Sequence, residues 1–599
     1  MLVDLGFGLF SLARGQDTNW DLTNYHRYNA FALLNGRMDV DLAPAGMQTY
    51  FNPLLDVPYY WMTQHGLAPV GGFCMGLWHG LVFPFLYLIC EGVLAGLPHT
   101  ARTARALGLA FAGCFAVSLV WGIGNCMGDV STAVFMVGAL AVIVRAWPAM
   151  EAGGGTLPLL ASGIIAGATC GLKLTNAPFA MALCLAFFVA PIAWPQRLRC
   201  ALAFAGAALA GLIMSWGWWG LILWQQFHDP LFPQFTRVFP TAWAQASAIV
   251  DANYLEHNFW EQLFLPFILP FAGDRVGEKS LLFQFQWAVV YLLLILWLIK
   301  SALAGRGTSG GAGSLSNSAG RRGSAVFTYV LAYLVIGFVL WMKVFSNYRF
   351  LAPLEVLLPL CIWVLFDDVL PRISAMRAAR WAIVTTSVLA TVGSLQSYGH
   401  ADWTADAYRV EVPAISNPER VSVLITQQGG VAWLIPSFPP QVQFLSDSPG
   451  FAKGTAYEHE FANRLQRRDG DVFLLTSIAD DFRVARAARI DGALQVFGLS
   501  KREWVCNGIR GVLERLRLAY RLEPADAGTG GLCHVRAENP PSADPGFENA
   551  FARQAAIKLG RWNLSVDLAS CQTYPAFIGG APMPYRWCRV PRNVVPASK

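Results

Sequence analysis

Apolar and polar positions sort the chain into three regimes. Between residues 72 and 397, apolar runs recur at lengths near the roughly 20 residues a spanning helix needs. Ten are long enough: about 72 to 95, 104 to 124, 127 to 147, 156 to 174, 176 to 193, 199 to 224, 281 to 300, 325 to 343, 350 to 369 and 381 to 397. After residue 400 the apolar positions shorten to VSVLI, QVQFL and DVFLLT, the pattern of buried strands, and 501 to 520 reads as a helix carrying Arg510, Arg515 and Arg517. Before the spans, residues 14 to 71 mix acids with aromatics. The expected division is a partial first helix (1–13), an acidic outer loop with interfacial helices (14–71), a transmembrane domain (72–397) and a soluble α/β domain (398–599).

The acidic loop, DTNWDLTNYHRYNAFALLNGRMDVDLAPAGMQTYFNPLLDVPYY, holds five carboxylates and one His. Asp21 is placed to cap a short helix over Leu22 to Leu34, with Tyr25, Tyr28 and Ala32 on its face and Gly36 ending it. Asp39 and Asp41 follow two apart, and Pro53 opens a second amphipathic segment, Leu54 to Trp61.

Composition then settles the class. The 599 residues are 55% hydrophobic and 14% charged, with 22 Trp and 39 Phe, which suits a bilayer and its interfaces. Basic loops alternate along the chain: Arg102 with Arg105, Arg197 with Arg199, Lys300 through Arg306 to Arg321 and Arg322, then Arg372, Arg377 and Arg380. The positive-inside rule makes those loops cytoplasmic, so 14–71, 228–280 and the last 200 residues share the outer compartment. That topology needs one more crossing at the start, yet Leu2 to Ala13 is too short to span ~30 Å of hydrocarbon and lacks a signal-peptide cleavage site. The expectation is that a truncated or misplaced start cuts the first transmembrane helix, an eleventh span.

Other features bear on chemistry. Asn125 and Asp129 read as polar residues at a turn between spans, and Lys173 as a cation snorkelling at an outer end or binding a lipid phosphate. The Pro- and aromatic-rich loop 228–277 should lie along the membrane surface and wall a cavity, while 305–323 is a Gly/Ser linker. Lys343 and Arg349 bracket an outer turn with Asn347 and Tyr348; guanidinium matches phosphate oxygens with paired donors, and the bland alternative is interfacial anchoring. Four cysteines lie in the outer domain, where disulfides form; spacing suggests Cys506–Cys533 and Cys571–Cys588, with a four-thiolate zinc site the rival.

This order of parts resembles the GT-C type polytopic glycosyltransferases, such as the protein O-mannosyltransferases and the lipid A aminoarabinose transferases. The matching residues are Asp21 with Tyr25, Leu33-Leu34-Asn35-Gly36, Asn52-Pro53-Leu54, and Tyr348-Arg349-Phe350 with Pro353; HDPLFPQF is similar to a segment of bacterial members. The likeness covers about residues 14 to 397. It implies a GT-C-like fold of about 11 transmembrane helices in a bacterial inner membrane. It also implies transfer of a sugar from a polyprenyl-phosphate carrier to an extracytoplasmic glycan, lipid or protein. Asp21 is then the general base, Arg349 with Lys343, Lys173 and Tyr348 the phosphate site, and His26 a partner of phosphate or acceptor. The acid usually paired with the first is replaced by Leu22, which leaves Asp17, Asp39 or Asp41 as the second, with a divalent cation held by oxygen ligands as a possible cofactor.

Rival readings are a transporter or flippase, which should show internal repeats and mid-span acids, and a non-catalytic envelope assembly subunit. No repeat is present and the acids cluster outside. A net charge of +6 over 599 residues, explained by topology, gives nucleic-acid binding no support. The absence of a Gly-rich phosphate loop argues against a nucleotide-sugar donor.

Overall fold

The computed structural model describes residues 2–592 except 246–253, 256–257, 272, 278–281, 305–317, 394–397, 427–428, 448–453, 479–481, 497, 516–518, 525–531 and 540–545. Most of the expected linker, including Arg306, and parts of the 228–277 loop therefore lie outside the described residues.

The chain is a helical membrane protein with a C-terminal sheet domain. Among the described residues five helices are long and apolar enough to cross a membrane: Ala68–Val93, Asp129–Glu151, Trp194–Phe227, Gln286–Leu303 and Arg322–Val344. A sixth is bent by 52° between Tyr348–Glu355 and Leu358–Val369, and Thr156–Leu172 and Leu174–Val189 are shorter apolar helices. The expected span over 104–124 is also interrupted, into His99–Gly113 and Val117–Gly122.

One buried side chain, Glu355, joins the two interrupted regions. Its carboxylate accepts from the Val117 and Ser118 amides at 2.9 and 3.0 Å, Gln284 Nε2 at 2.5 Å and the Tyr348 hydroxyl at 2.9 Å. Backbone donors freed at a helix break must find partners inside the protein, because hydrocarbon offers none. Small residues permit close packing elsewhere: helix Leu2–Arg14 lies so near Gly76 and Gly80 that an added Cβ would meet its backbone at 2.5 and 2.9 Å.

The loop after that helix is fastened to the C-terminal domain. Gln16–Asp17 pairs antiparallel with His400–Ala401, and Gly15, at φ +96°, meets the Ala401 carbonyl where no side chain fits. The helix predicted at 22–34 forms as a wide π-turn, Leu22–His26, running into Arg27–Leu34, with left-handed Gly36 beyond it. Asp21 is not its cap. The backbone is already helical there, and the Leu22 amide is taken by Asn19 Oδ1 at 2.9 Å. The interfacial helix is Val57–Gln64, a few residues later than expected. Asn52 anchors this region by donating to the Gly171 and Ser215 carbonyls, both at 2.9 Å.

VSVLI, QVQFL and DVFLLT supply three parallel strands, with Ser422–Ile425 between Gln443–Ser446 and Val472–Ser477. Tyr585–Arg589 and Asp567–Tyr574 extend the sheet antiparallel to five strands. A separate hairpin, Tyr520–Pro524 with Cys533–Ala537, packs on Phe482–Val496 and Glu503–Arg515. Cys506 is bonded to Cys533 and Cys571 to Cys588, so the rival four-thiolate site does not form.

Candidate functional site

A cleft of about 230 Å³ opens where the acidic loop meets the ends of two apolar helices. Its polar wall is made by Tyr25, His26, Asp56, Lys173 and Arg349, and its apolar wall by leucines and aromatics that include Phe350. Each polar group comes from an element whose local sequence sets its position. The π-turn carries Tyr25 and His26. Lys173 follows the C-terminus of Thr156–Leu172 in extended conformation, and Arg349 lies on a short 3-10 turn opened by Asn347, whose side chain accepts from the Arg349 amide at 3.3 Å.

Two cations and two acids interlock behind this wall. Arg349 Nη1 donates to Asp21 Oδ2 at 2.9 Å, and its Nε lies 3.3 Å from Asp129 Oδ2. Lys173 pairs with the other oxygen of Asp129 and donates to the Met127 carbonyl at 2.5 Å. The Arg349 guanidinium also sits 5.2 Å from the Phe350 ring centre and the Lys173 ammonium 5.8 Å from it. Burial pushes the Asp21 carboxyl up, but Arg349, then His26 and Lys173, outweigh it and hold the group below its ordinary value. Asp21 is thus an ionised counter-ion of Arg349. It does not itself line the cleft.

Beside them His26 and Asp56 form a second pair, His26 Nδ1 to Asp56 Oδ1 at 2.6 Å. Both are buried, and among the described residues His26 Nε2 has no hydrogen-bond partner. The ring packs against Tyr25 with centres 4.0 Å apart. For Asp56 burial is the largest influence, offset only in part by His26 and Lys173, so its carboxyl stays above its ordinary value.

The other expected site residues lie elsewhere. Asp17 is fully buried and accepts from the Asn19 amide and side chain and from the Cys126 amide at 2.7 Å, which makes it a structural tie. Asp41 is locked by Arg37 at 2.6 Å, by the Tyr28 hydroxyl and by the Phe444 amide; burial, opposed by Arg37, raises its carboxyl. Asp39 sits on a 3-10 turn whose carbonyl receives Arg464. Tyr348 is buried against Glu355 and Trp287. Lys343 bonds Gln262 at 2.5 Å and lines a separate apolar groove between the helices around Trp287 and Phe338. Among the described residues no group of three His, Cys, Asp or Glu could hold a metal ion, and Asp17, Asp39 and Asp41 do not converge on the cleft.

Sequence reasoning missed both acids: Asp129 reads as a turn residue and Asp56 as a structural residue of the interfacial segment. Asp129 follows left-handed Gly128 at the first turn of a 23-residue helix, where a carboxylate is favoured by the helix dipole. GD before a long apolar run was its available signal. No protein-family model, curated protein or solved structure matches the chain.

Proposed function

We propose that the protein is a membrane glycosyltransferase that moves a sugar from a polyprenyl-phosphate carrier to an acceptor outside the cytoplasm. In this reading it adopts a GT-C-like arrangement with about 11 crossings of a bacterial inner membrane. The observation that carries the reading is the cation pair Lys173 and Arg349 on one wall of a cleft that also offers a long apolar wall. A lipid phosphate needs both: paired donors for its oxygens and apolar surface for its chain.

In the resting protein Asp21 and Asp129 neutralise the two cations. An arriving phosphate takes over part of that role, and the same cations stabilise the charge left on the carrier when the sugar departs. The acceptor proton goes to a buried group beside them, either Asp21 or the His26–Asp56 pair. No step is assigned to a divalent ion, since the acids expected to hold one are engaged elsewhere.

The test is to purify the intact protein in detergent and identify co-purifying lipid by mass spectrometry. A polyprenyl-phosphate sugar, lost in Arg349→Ala, is the expected result. Absence of such a lipid, together with no release of polyprenyl phosphate from added donor, would remove the reading. Carrier bound and moved across vesicles without sugar release would favour a flippase.

A further inference from the structure

Formation of the new glycosidic bond requires the acceptor hydroxyl to lose a proton, and the cleft presents the two candidate acceptors unequally. Asp21 lies behind Arg349, its Oδ2 committed at 2.9 Å to the guanidinium, and is not part of the cleft lining. His26 and Asp56 both line it. A carboxylate can only accept hydrogen bonds, so the 2.6 Å contact with Asp56 places the proton of the neutral ring on Nδ1. The lone pair is then on Nε2, which is enclosed and has no partner among the described residues. A buried polar atom left unmatched is uncommon in a folded protein and marks a place where a ligand atom can complete it.

We propose that His26, oriented by Asp56, is the general base, and that Asp21 is a positioning residue for Arg349; this rests on the glycosyl-transfer reading above. The acceptor O–H gives its proton to His26 Nε2 while its oxygen electron pair forms the bond to the sugar's anomeric carbon. The bond from that carbon to the phosphate oxygen breaks, and its electron pair leaves with the carrier phosphate beside Arg349 and Lys173. Asp56 stabilises the imidazolium, and the proton passes to solvent as the products leave.

The experiment uses the full chain in detergent, with a polyprenyl-phosphate-linked sugar extracted from the same membranes as donor. Release of polyprenyl phosphate and carrier binding by native mass spectrometry are read together. His26→Gly should lose turnover by about a hundredfold or more with carrier binding kept, and added imidazole should restore it by filling the vacated space. Asp56→Asn should lower turnover without loss of binding, because an amide can donate as well as accept and admits the wrong tautomer. If His26→Gly does not accumulate, His26→Gln is measured instead, with the same split expected. Normal turnover in either His26 variant overturns the assignment. So does a loss of turnover that tracks loss of carrier binding and is not rescued by imidazole. Failure of the underlying reading shows in the unaltered protein, which would then neither bind carrier nor release it, and the assignment falls with it.

Discussion

Replacing Asp21 with Asn changes little in shape and one unit in charge, and the local geometry makes the outcome specific. Arg349 and Lys173 face Asp21 and Asp129, so these four groups are neutral together in the empty protein. The variant leaves it at +1 and frees Arg349 Nη1 from a charged acceptor. A hydrogen bond to a charged group is worth about 1.5–3 kcal/mol net, and 1.4 kcal/mol is about a factor of ten in affinity. Asp21→Asn should therefore bind polyprenyl phosphate about ten- to a hundredfold more tightly, with the gain shrinking as salt rises. The empty protein should lose stability by a similar amount, less than the ~3–5 kcal/mol of a fully orphaned buried charge because Asp129 still partners the guanidinium. Titration with polyprenyl phosphate in detergent at low and high salt measures the first effect and thermal unfolding the second. Unchanged or weaker binding would refute the idea that Asp21 and the phosphate compete for Arg349. Tighter binding with turnover reduced a hundredfold or more would return the proton-acceptor role to Asp21.

Glu355→Ala should cost about 3–5 kcal/mol, seen as a large fall in thermal stability, since it strands the Val117 and Ser118 amides and the Tyr348 hydroxyl away from water. Burial raises the Asp229 carboxyl to about 6, so the folded state favours its protonated form and that contribution to stability is lost as pH rises from about 4 toward 6. Asp229→Asn should accordingly gain stability at pH 7 relative to pH 4, by about 1–2 kcal/mol once the ~3 kcal/mol of the full shift is reduced by solvent screening; equal shifts at both would contradict this. Reporter fusions after residues 310 and 375 should report cytoplasm and one after 420 the outside, and a cytoplasmic signal at 420 would reverse the orientation. Thiol labelling of unreduced protein should leave Cys506, Cys533, Cys571 and Cys588 unmodified, and full labelling of these four would show that the bridges do not form.

Local signals in this chain were legible where one element settles them. The helix ending at Gly36 and the three short strands follow from periodicity and turn chemistry within a dozen residues. The Asp21 cap failed because Asn19, two residues earlier, captured the Leu22 amide, a competition between two good capping residues that propensity does not resolve. Unbroken spans over 104–124 and 350–369 were predicted because hydropathy sees only composition. The breaks depend on Glu355 reaching Val117 across the bundle. The cluster around Arg349 was half legible for the same reason: Arg349 and Asp21 stood out by residue type, but their direct pairing, and the Asp129–Lys173 pair that extends it, arise only when four separate segments meet. Asp17 carried the same local signature as Asp21, and nothing near it told that the Cys126 amide would take it up, whereas the Arg37–Asp41 pair, four residues apart, was a local signal passed over.

The pairing of Gln16–Asp17 with His400–Ala401 has a consequence for biosynthesis. Together with Arg27 donating to the Trp433 carbonyl at 2.6 Å and Arg37 to the Val442 carbonyl at 2.7 Å, it makes the last third of the chain a clasp for the first sixty residues. A ribosome releases the acidic loop long before that clasp exists. Until residues beyond 442 have emerged, Arg27 and Arg37 lack those carbonyl partners, and the segment that carries Tyr25 and His26 is not yet tied down. If the proposed function holds, catalytic competence is acquired only near the end of translation. A chain clipped at the membrane boundary should be inert even though none of the described residues of the amputated part lines the cleft.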